Sequence, residues 1–429
     1  QAFTLTANSN NNNITAATSS GNLSIASINA GSGTVDLTAS GGNILDSTPS
    51  DDSAVNITAA SISLAGSTGV GATGLGDIDT AASTLELSTT SSGNIFVADS
   101  DAVTLASSST SSNGNIDVRT VSGDLTVSSA VTADGSGDIT LNSAGSLLIN
   151  NVLTSTSGDL SLTGATGVTH SAAGDLTTSG AGTITVASTA NDVTMVDGTV
   201  FTAGGGSVSV TGADEVLLGK IANPLGTVSV TATAGDISDE TAAEGTSNEN
   251  ISGTTVTLSS ATGIGASGAA NDIDTAATTL ASSVTGTGGI YITETDGIAL
   301  GTTSTSNGAI ELSSGGAVTT SGDITAAGGS FSITGVGITN SNTITGDANG
   351  ITLDAGTGTL TNSAGTISNG STAGAINLLA DTDIVLAGGI VTGGSGVVTL
   401  KDSGDAITVA LEGGTGTIQI ADADLDTIS

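Results

Sequence analysis

Ser61-Ile-Ser-Leu64, Gly69-Val-Gly-Ala72, Asp77-Ile-Asp-Thr-Ala-Ala82, Ile95-Phe-Val97 and Ile116-Asp-Val118 follow one another through the first half of the chain. In the second half the same order returns as Thr255-Val-Thr-Leu258, Gly263-Ile-Gly-Ala266, Asp272-Ile-Asp-Thr-Ala-Ala277, Ile290-Tyr-Ile292 and Ile310-Glu-Leu312. Leu64 and Leu258 are 194 positions apart, Ile78 and Ile273 are 195, and Ile116 and Ile310 are again 194. So constant a separation marks an internal repeat, and a repeat decides the architecture before any local pattern does. The repeat fades after residue 118, which places a soft boundary near 213: residues 1–213 form a first superrepeat, and 214–429 a second one continuous with it.

Outward from that stretch, short apolar–polar–apolar segments recur every ten or so residues. Many open on Gly and then Asp, Asn or Thr: Gly123-Asp-Leu-Thr-Val127, Gly137-Asp-Ile-Thr-Leu141, Gly158-Asp-Leu-Ser-Leu162, Gly182-Thr-Ile-Thr-Val186. Period-two alternation of β-branched residues, bounded by Gly, Asn and Asp, is the signature of strands, and no 3.6-residue period competes with it. Tandem β-sandwiches would rest on aromatic cores and Pro-bearing loops. This chain has no Trp, one Tyr, four Phe and two Pro in 429 residues. A core of Ala, Val, Ile and Leu must be narrow and built the same way many times. The sequence therefore predicts an all-β, right-handed parallel β-helix with essentially no helix. At about 20 residues per turn it would have roughly 20 turns.

Charge narrows the function. Forty Asp and Glu face only Arg119, Lys220 and Lys401, a net charge of −37. Nucleic-acid binding needs Lys and Arg on phosphates and is excluded. No apolar run approaches the ~20 residues of a membrane span, so no direct membrane insertion is expected. The chain has no Cys, which removes disulfides and thiolate chemistry and fits an extracellular or cell-surface setting. It starts on Gln1 without Met, as a processed or excised segment would.

The Gly-Asp/Asn-Ile/Leu-x-Val/Leu units, the small-residue composition and the absent Cys resemble the repeat regions of filamentous-haemagglutinin-like exoproteins and autotransporter passengers. That resemblance spans nearly the whole chain and implies a bacterial surface adhesin, stalk or matrix component. Asn223-Pro224-Leu225 is the one trace of an Asn-Pro secretion motif, and it lies mid-chain.

Candidate sites are few. Gly69-Val-Gly-Ala-Thr-Gly74 and Gly263-Ile-Gly-Ala-Ser-Gly268 match a dinucleotide fingerprint, but strand-like sequence follows each, so both are expected to be corners. Asp77 with Asp79 corresponds to Asp272 with Asp274, and Asp99 with Asp101 to Glu294 with Asp296. The first two pairs, together with Asp422, Asp424 and Asp426, are the candidate Ca²⁺ ligands, Ca²⁺ being the one cofactor considered. Phe96 and Tyr291 should face outward at equivalent places as lateral contacts. His170, the only histidine, is expected in a polar loop, and no residue is assigned a catalytic role; a lyase-type site would need more cations than the chain has. Thr302, Thr303 and Thr305 hint at an ice-binding face. Phe3-Thr-Leu5 and Thr417-Ile-Gln-Ile420 look like ordinary turns without caps, which predicts head-to-tail self-association or continuation of a longer chain. The expected function is a non-enzymatic extracellular structural rod, a surface-fibre or matrix-filament segment; the alternative is the stalk of a large adhesin.

Overall fold

The computed structural model describes residues 3–49, 54–241, 249–268, 270–370, 372–386, 388–404, 409–411, 418–420 and 422–429. It divides into two compact units, one of residues 1–213 with 221–226 and the other of 214–220 with 227–429. Both are parallel β-solenoid, about 18 turns in all.

Gly158-Asp-Leu-Ser-Leu162 shows how the sequence sets the coil. Alternation sends Leu160 and Leu162 inward, fully buried, and leaves Ser161 half-buried on the strand Leu160–Gly164. Leu160 pairs in parallel with Ile139 below and Ile184 above, so the same slice of core is laid down again on each turn. The column runs Ile95, Ile116, Ile139, Leu160, Ile184, Val208 in the first unit. In the second it runs Ile290, Ile310, Phe331, Ile351, Ile376, Val398. Each such side chain contributes about 1.5–3 kcal/mol on burial. Turn length varies from 19 residues (Ile78 opposite Val97) to 29 (Ile28 opposite Ile57). The strands stay fixed while the corner loops lengthen, which is why there are fewer turns than a uniform 20-residue repeat gives.

The Gly-Asx motif is a corner device. The side-chain oxygen of Asn94 accepts the N–H of Asn115, that of Asn115 the N–H of Asp138, and that of Asp138 the N–H of Asp159. Asp159 Oδ1 then accepts from both the N–H and the hydroxyl of Thr183, at 2.7 and 2.9 Å. Each polar corner thus supplies the acceptor that the next corner's backbone lacks. Replacing Asp159 with Ala should cost about 1 kcal/mol in urea unfolding, and with Asn much less, because Asn keeps the accepting oxygen.

Two features stand out from the regular coil. Asp422–Leu425 is a single helical turn in a chain otherwise free of helix among its described residues. A five-residue acidic run is too short for periodicity to separate helix from strand. The segment lies over the edge of the strand Ile390–Thr392: Val391 N–H donates to Thr427 C=O, Ser429 N–H donates to Val391 C=O, and Leu386 N–H donates to Asp424 Oδ1 at 2.8 Å. The edge of Ile390–Thr392 is thereby covered; the expectation of an uncapped turn concerned Thr417–Ile420, of which Thr417 lies outside the described residues. By contrast, the strands Phe3–Asn8 and Ile14–Thr18 pair with Leu23–Asn29 and Thr34–Ala39 on one side. Their inward residues Leu5, Ala7, Ile14 and Ala16 remain half-exposed.

Candidate functional site

The repeat carries a polar network as well as a core. Asp46 Oδ1 accepts from the N–H and hydroxyl of Thr48 and from Asn56 Nδ2, and Asn56 Oδ1 accepts the N–H of Asp79. Asp239, Thr241, Asn250 and Asp274 repeat every one of these bonds. One step further, Asp99 accepts from the Thr80 hydroxyl and the Ala82 N–H, and Glu294 accepts from the Thr275 hydroxyl and the Ala277 N–H. Both carboxyls are almost wholly buried. Burial pushes the Asp99 carboxyl above its ordinary range against the pull of its hydrogen bonds. In Glu294 burial also dominates and pushes the pKa up to about 7.

Beside each network a pocket opens on the flank of the coil. The first, about 290 Å³, is lined by Gly74, Leu75, Asp77, Phe96, Val97, Asp117 and Arg119. The second, about 240 Å³, is lined by Gly268, Asp272, Tyr291, Ile292, Thr293, Glu311 and Ser313. Repeat spacing equates Asp77 with Asp272, Phe96 with Tyr291, Asp117 with Glu311 and Arg119 with Ser313. A glycine corner overhangs each. Gly71 and Gly265 sit at φ +69° and +60°, and a Cβ there would meet the carbonyl of Phe96 or Tyr291 at 2.3 or 2.7 Å. The strands Ile78–Thr89 and Ile273–Val284 follow these corners, so neither glycine motif opens a helix.

The pockets differ in one charge. Arg119 reaches back two turns, and its Nη2 and Nε both donate to Asp77 Oδ2, at 2.8 and 3.2 Å. Burial raises the Asp117 pKa; Arg119 opposes that rise and Asp77 adds to it. In the second copy the Thr293 hydroxyl donates to Asp272 Oδ2 instead. Oδ1 of Asp77 and Oδ1 of Asp272 are buried without a hydrogen-bond partner.

Several predicted residues take different roles. Asp77 and Asp272 are buried in the two pocket linings, Asp79 and Asp274 are buried with their backbone N–H groups in the polar networks, and Asp424 accepts the Leu386 N–H. Among the described residues no three His, Cys, Asp or Glu side chains converge as a metal site would require. Phe96 and Tyr291 do face the flank at matching places, half-buried in pocket walls. Thr303 and Thr305 are buried, so they form no surface ladder with Thr302. His170 is a core residue, not a loop one. It stands in a column between Ile149 and Met195, its Nδ1 donates to Gly174 C=O at 2.8 Å, and its ring meets Phe201 edge-on at 4.8 Å. Thr89 and Thr110 do the same job with hydroxyls, each donating to a glycine carbonyl four residues on. Arg119 is the site residue that sequence reading missed, and its signal was position: a lone cation 42 residues, or two turns, beyond Asp77.

Fold and flank together define a β-solenoid repeat protein with a duplicated side pocket. Comparison of the chain with protein-family models, curated proteins and solved structures gave no match. No helix among the described residues is long and apolar enough to cross a membrane.

Proposed function

We propose that this chain is a non-enzymatic structural segment of an extracellular or cell-surface fibre, in which a repeated β-coil sets length and stiffness. The observation that carries this reading is reuse: the same aliphatic column and the same polar corner recur turn after turn in both units. A charge of −37 and the absence of Cys suit that setting. A further strand layer, from a second copy or from a longer form of this chain, would pair on the half-exposed edge of Phe3–Asn8 and Ile14–Thr18. The stalk of an adhesin is the second reading, favoured by the paired side pockets, since a pure spacer has no use for them.

Sedimentation and electron microscopy over a concentration series, with and without CaCl₂, separate the two. Assembly should produce polymers that shorten when Ile14 and Ala16 are both replaced by Lys. Monodisperse particles under every condition would overturn self-assembly and leave the stalk.

A further inference from the structure

The two copies of the side pocket are a natural comparison of one site with and without its cation. In the first, strand register places Arg119 beside Ala98, and its guanidinium sits on Asp77. In the second, the same register places Ser313 beside Thr293. The charged groups lining the first pocket are Asp77, Asp117 and Arg119, whereas the second has only Asp272 and Glu311. Its back wall is a buried carboxylate, as in the first pocket: Asp272 is 8% exposed and its Oδ1, like that of Asp77, has no partner, while a threonine hydroxyl stands at the Oδ2 that an arginine takes in the first copy. Its side wall is Tyr291, paired directly with Glu311 across the strands, in Phe96's place. A ring face beside a carboxylate suits a flat organic cation. A divalent metal is the poorer fit, because it needs a convergent oxygen cage that these side chains do not form.

We propose that the pocket of Asp272, Tyr291 and Glu311 binds a guanidinium group, such as an arginine side chain presented by a partner, in the place Arg119 fills in the first copy. The only arginine of these 429 residues already lies on Asp77, so the guanidinium comes from outside them. A test of this site does not depend on whether the chain is a fibre segment or an adhesin stalk.

Tyr291 is the only tyrosine in a chain without tryptophan, so its fluorescence reports this pocket alone. Titration with N-acetyl-L-arginine methylamide in about 0.15 M NaCl, where long-range attraction to the acidic chain is screened, should give a saturable change in Tyr291 emission. N-acetylglycine methylamide should give none. Glu311→Gln should weaken the response at least about fivefold. Ser313→Arg with Thr293→Ala rebuilds the first pocket's internal cation and should abolish it. Conversely, Arg119→Ser with Phe96→Tyr and Tyr291→Phe moves both vacancy and reporter to the first pocket, where a saturable response should appear. A change that is linear, or equal in Glu311→Gln, or produced by CaCl₂ and not by the arginine derivative, would overturn the assignment.

Discussion

Replacing His170 with Asn should make the protein more resistant to acid, and replacing Glu294 with Gln should make it less so. Burial lowers the His170 pKa from 6.5 to about 4, outweighing the Gly174 hydrogen bond that favours the charged form. Nδ1 donates to a carbonyl and so carries the proton, while Nε2 is buried without a partner. A second proton would place an unsolvated cation between Ile149 and Met195. The unfolded chain therefore binds more protons between pH 6.5 and about 4. The histidine's contribution is complete above the upper value and is lost as pH falls through the lower one, at a cost of roughly 3 kcal/mol. Glu294 has the opposite sign. Its carboxyl titrates at about 7 folded and 4.5 unfolded. Its contribution is complete below 4.5 and is lost as pH rises through 7, again by roughly 3 kcal/mol.

The two slopes oppose each other across most of the same window. In the wild type they largely cancel, and each single variant exposes the other. The measurement is the stability difference between variant and wild type at pH 8, 6.5 and 4.5, which removes the general relief of self-repulsion that acid brings to so negative a chain. Asn at 170 retains a donor for the Gly174 carbonyl, as Asn369 donates to Gly374. Gln at 294 retains acceptors for Thr275 and Ala277. Amide exchange should also divide along the chain, with acid loosening the turns around Leu160 and protecting those around Ile310. Differences that do not vary with pH would mean that neither group is held in its buried, uncharged form.

These two groups also mark where the sequence could be read and where it could not. Alternation in Gly167-Val-Thr-His170 puts Val168 inside, Thr169 outside and His170 inside. The period was sufficient, and the polar character of imidazole pointed the wrong way. The spacing of Asp77 and Asp272 showed that something was duplicated, but not that one copy had an arginine on it, since that contact spans two turns and depends on loop lengths. The coil itself was legible because each turn restates it. Asp422–Leu425 was not, because one helical turn restates nothing.

The same logic makes one glycine column the most sensitive place in the first unit. Gly93, Gly114, Gly137, Gly158, Gly182 and Gly206 stack at the corner that precedes the Asx series. A Cβ on Gly158 would come within 2.2 Å of the Gly137 carbonyl oxygen, and a Cβ on Gly182 within 2.1 Å of that of Gly158. The obstacle is backbone, which cannot rotate aside as a side chain could. Gly158→Ala must therefore lift one turn off another. That breaks the Ser155 hydroxyl's bonds, in which it donates to Gly137 C=O at 2.7 Å and accepts the Gly158 N–H at 2.8 Å, and it strains the Asp159 N–H to Asp138 bond beside them. Overpacking a well-fitted site costs about 1–3 kcal/mol, and the lost hydrogen bonds add about 1 kcal/mol each, so the expected loss is about 3–5 kcal/mol. Gly74→Ala is the control. That residue has φ +67° but nothing within 4 Å of its Cβ position, so only the left-handed backbone penalty of about 1–2 kcal/mol applies. Urea unfolding of the two variants beside wild type distinguishes the causes. Gly158 itself lies outside the left-handed region, so a loss there no greater than at Gly74 would mean that the turns part cheaply and that close stacking does not explain the glycine that opens each Gly-Asx motif.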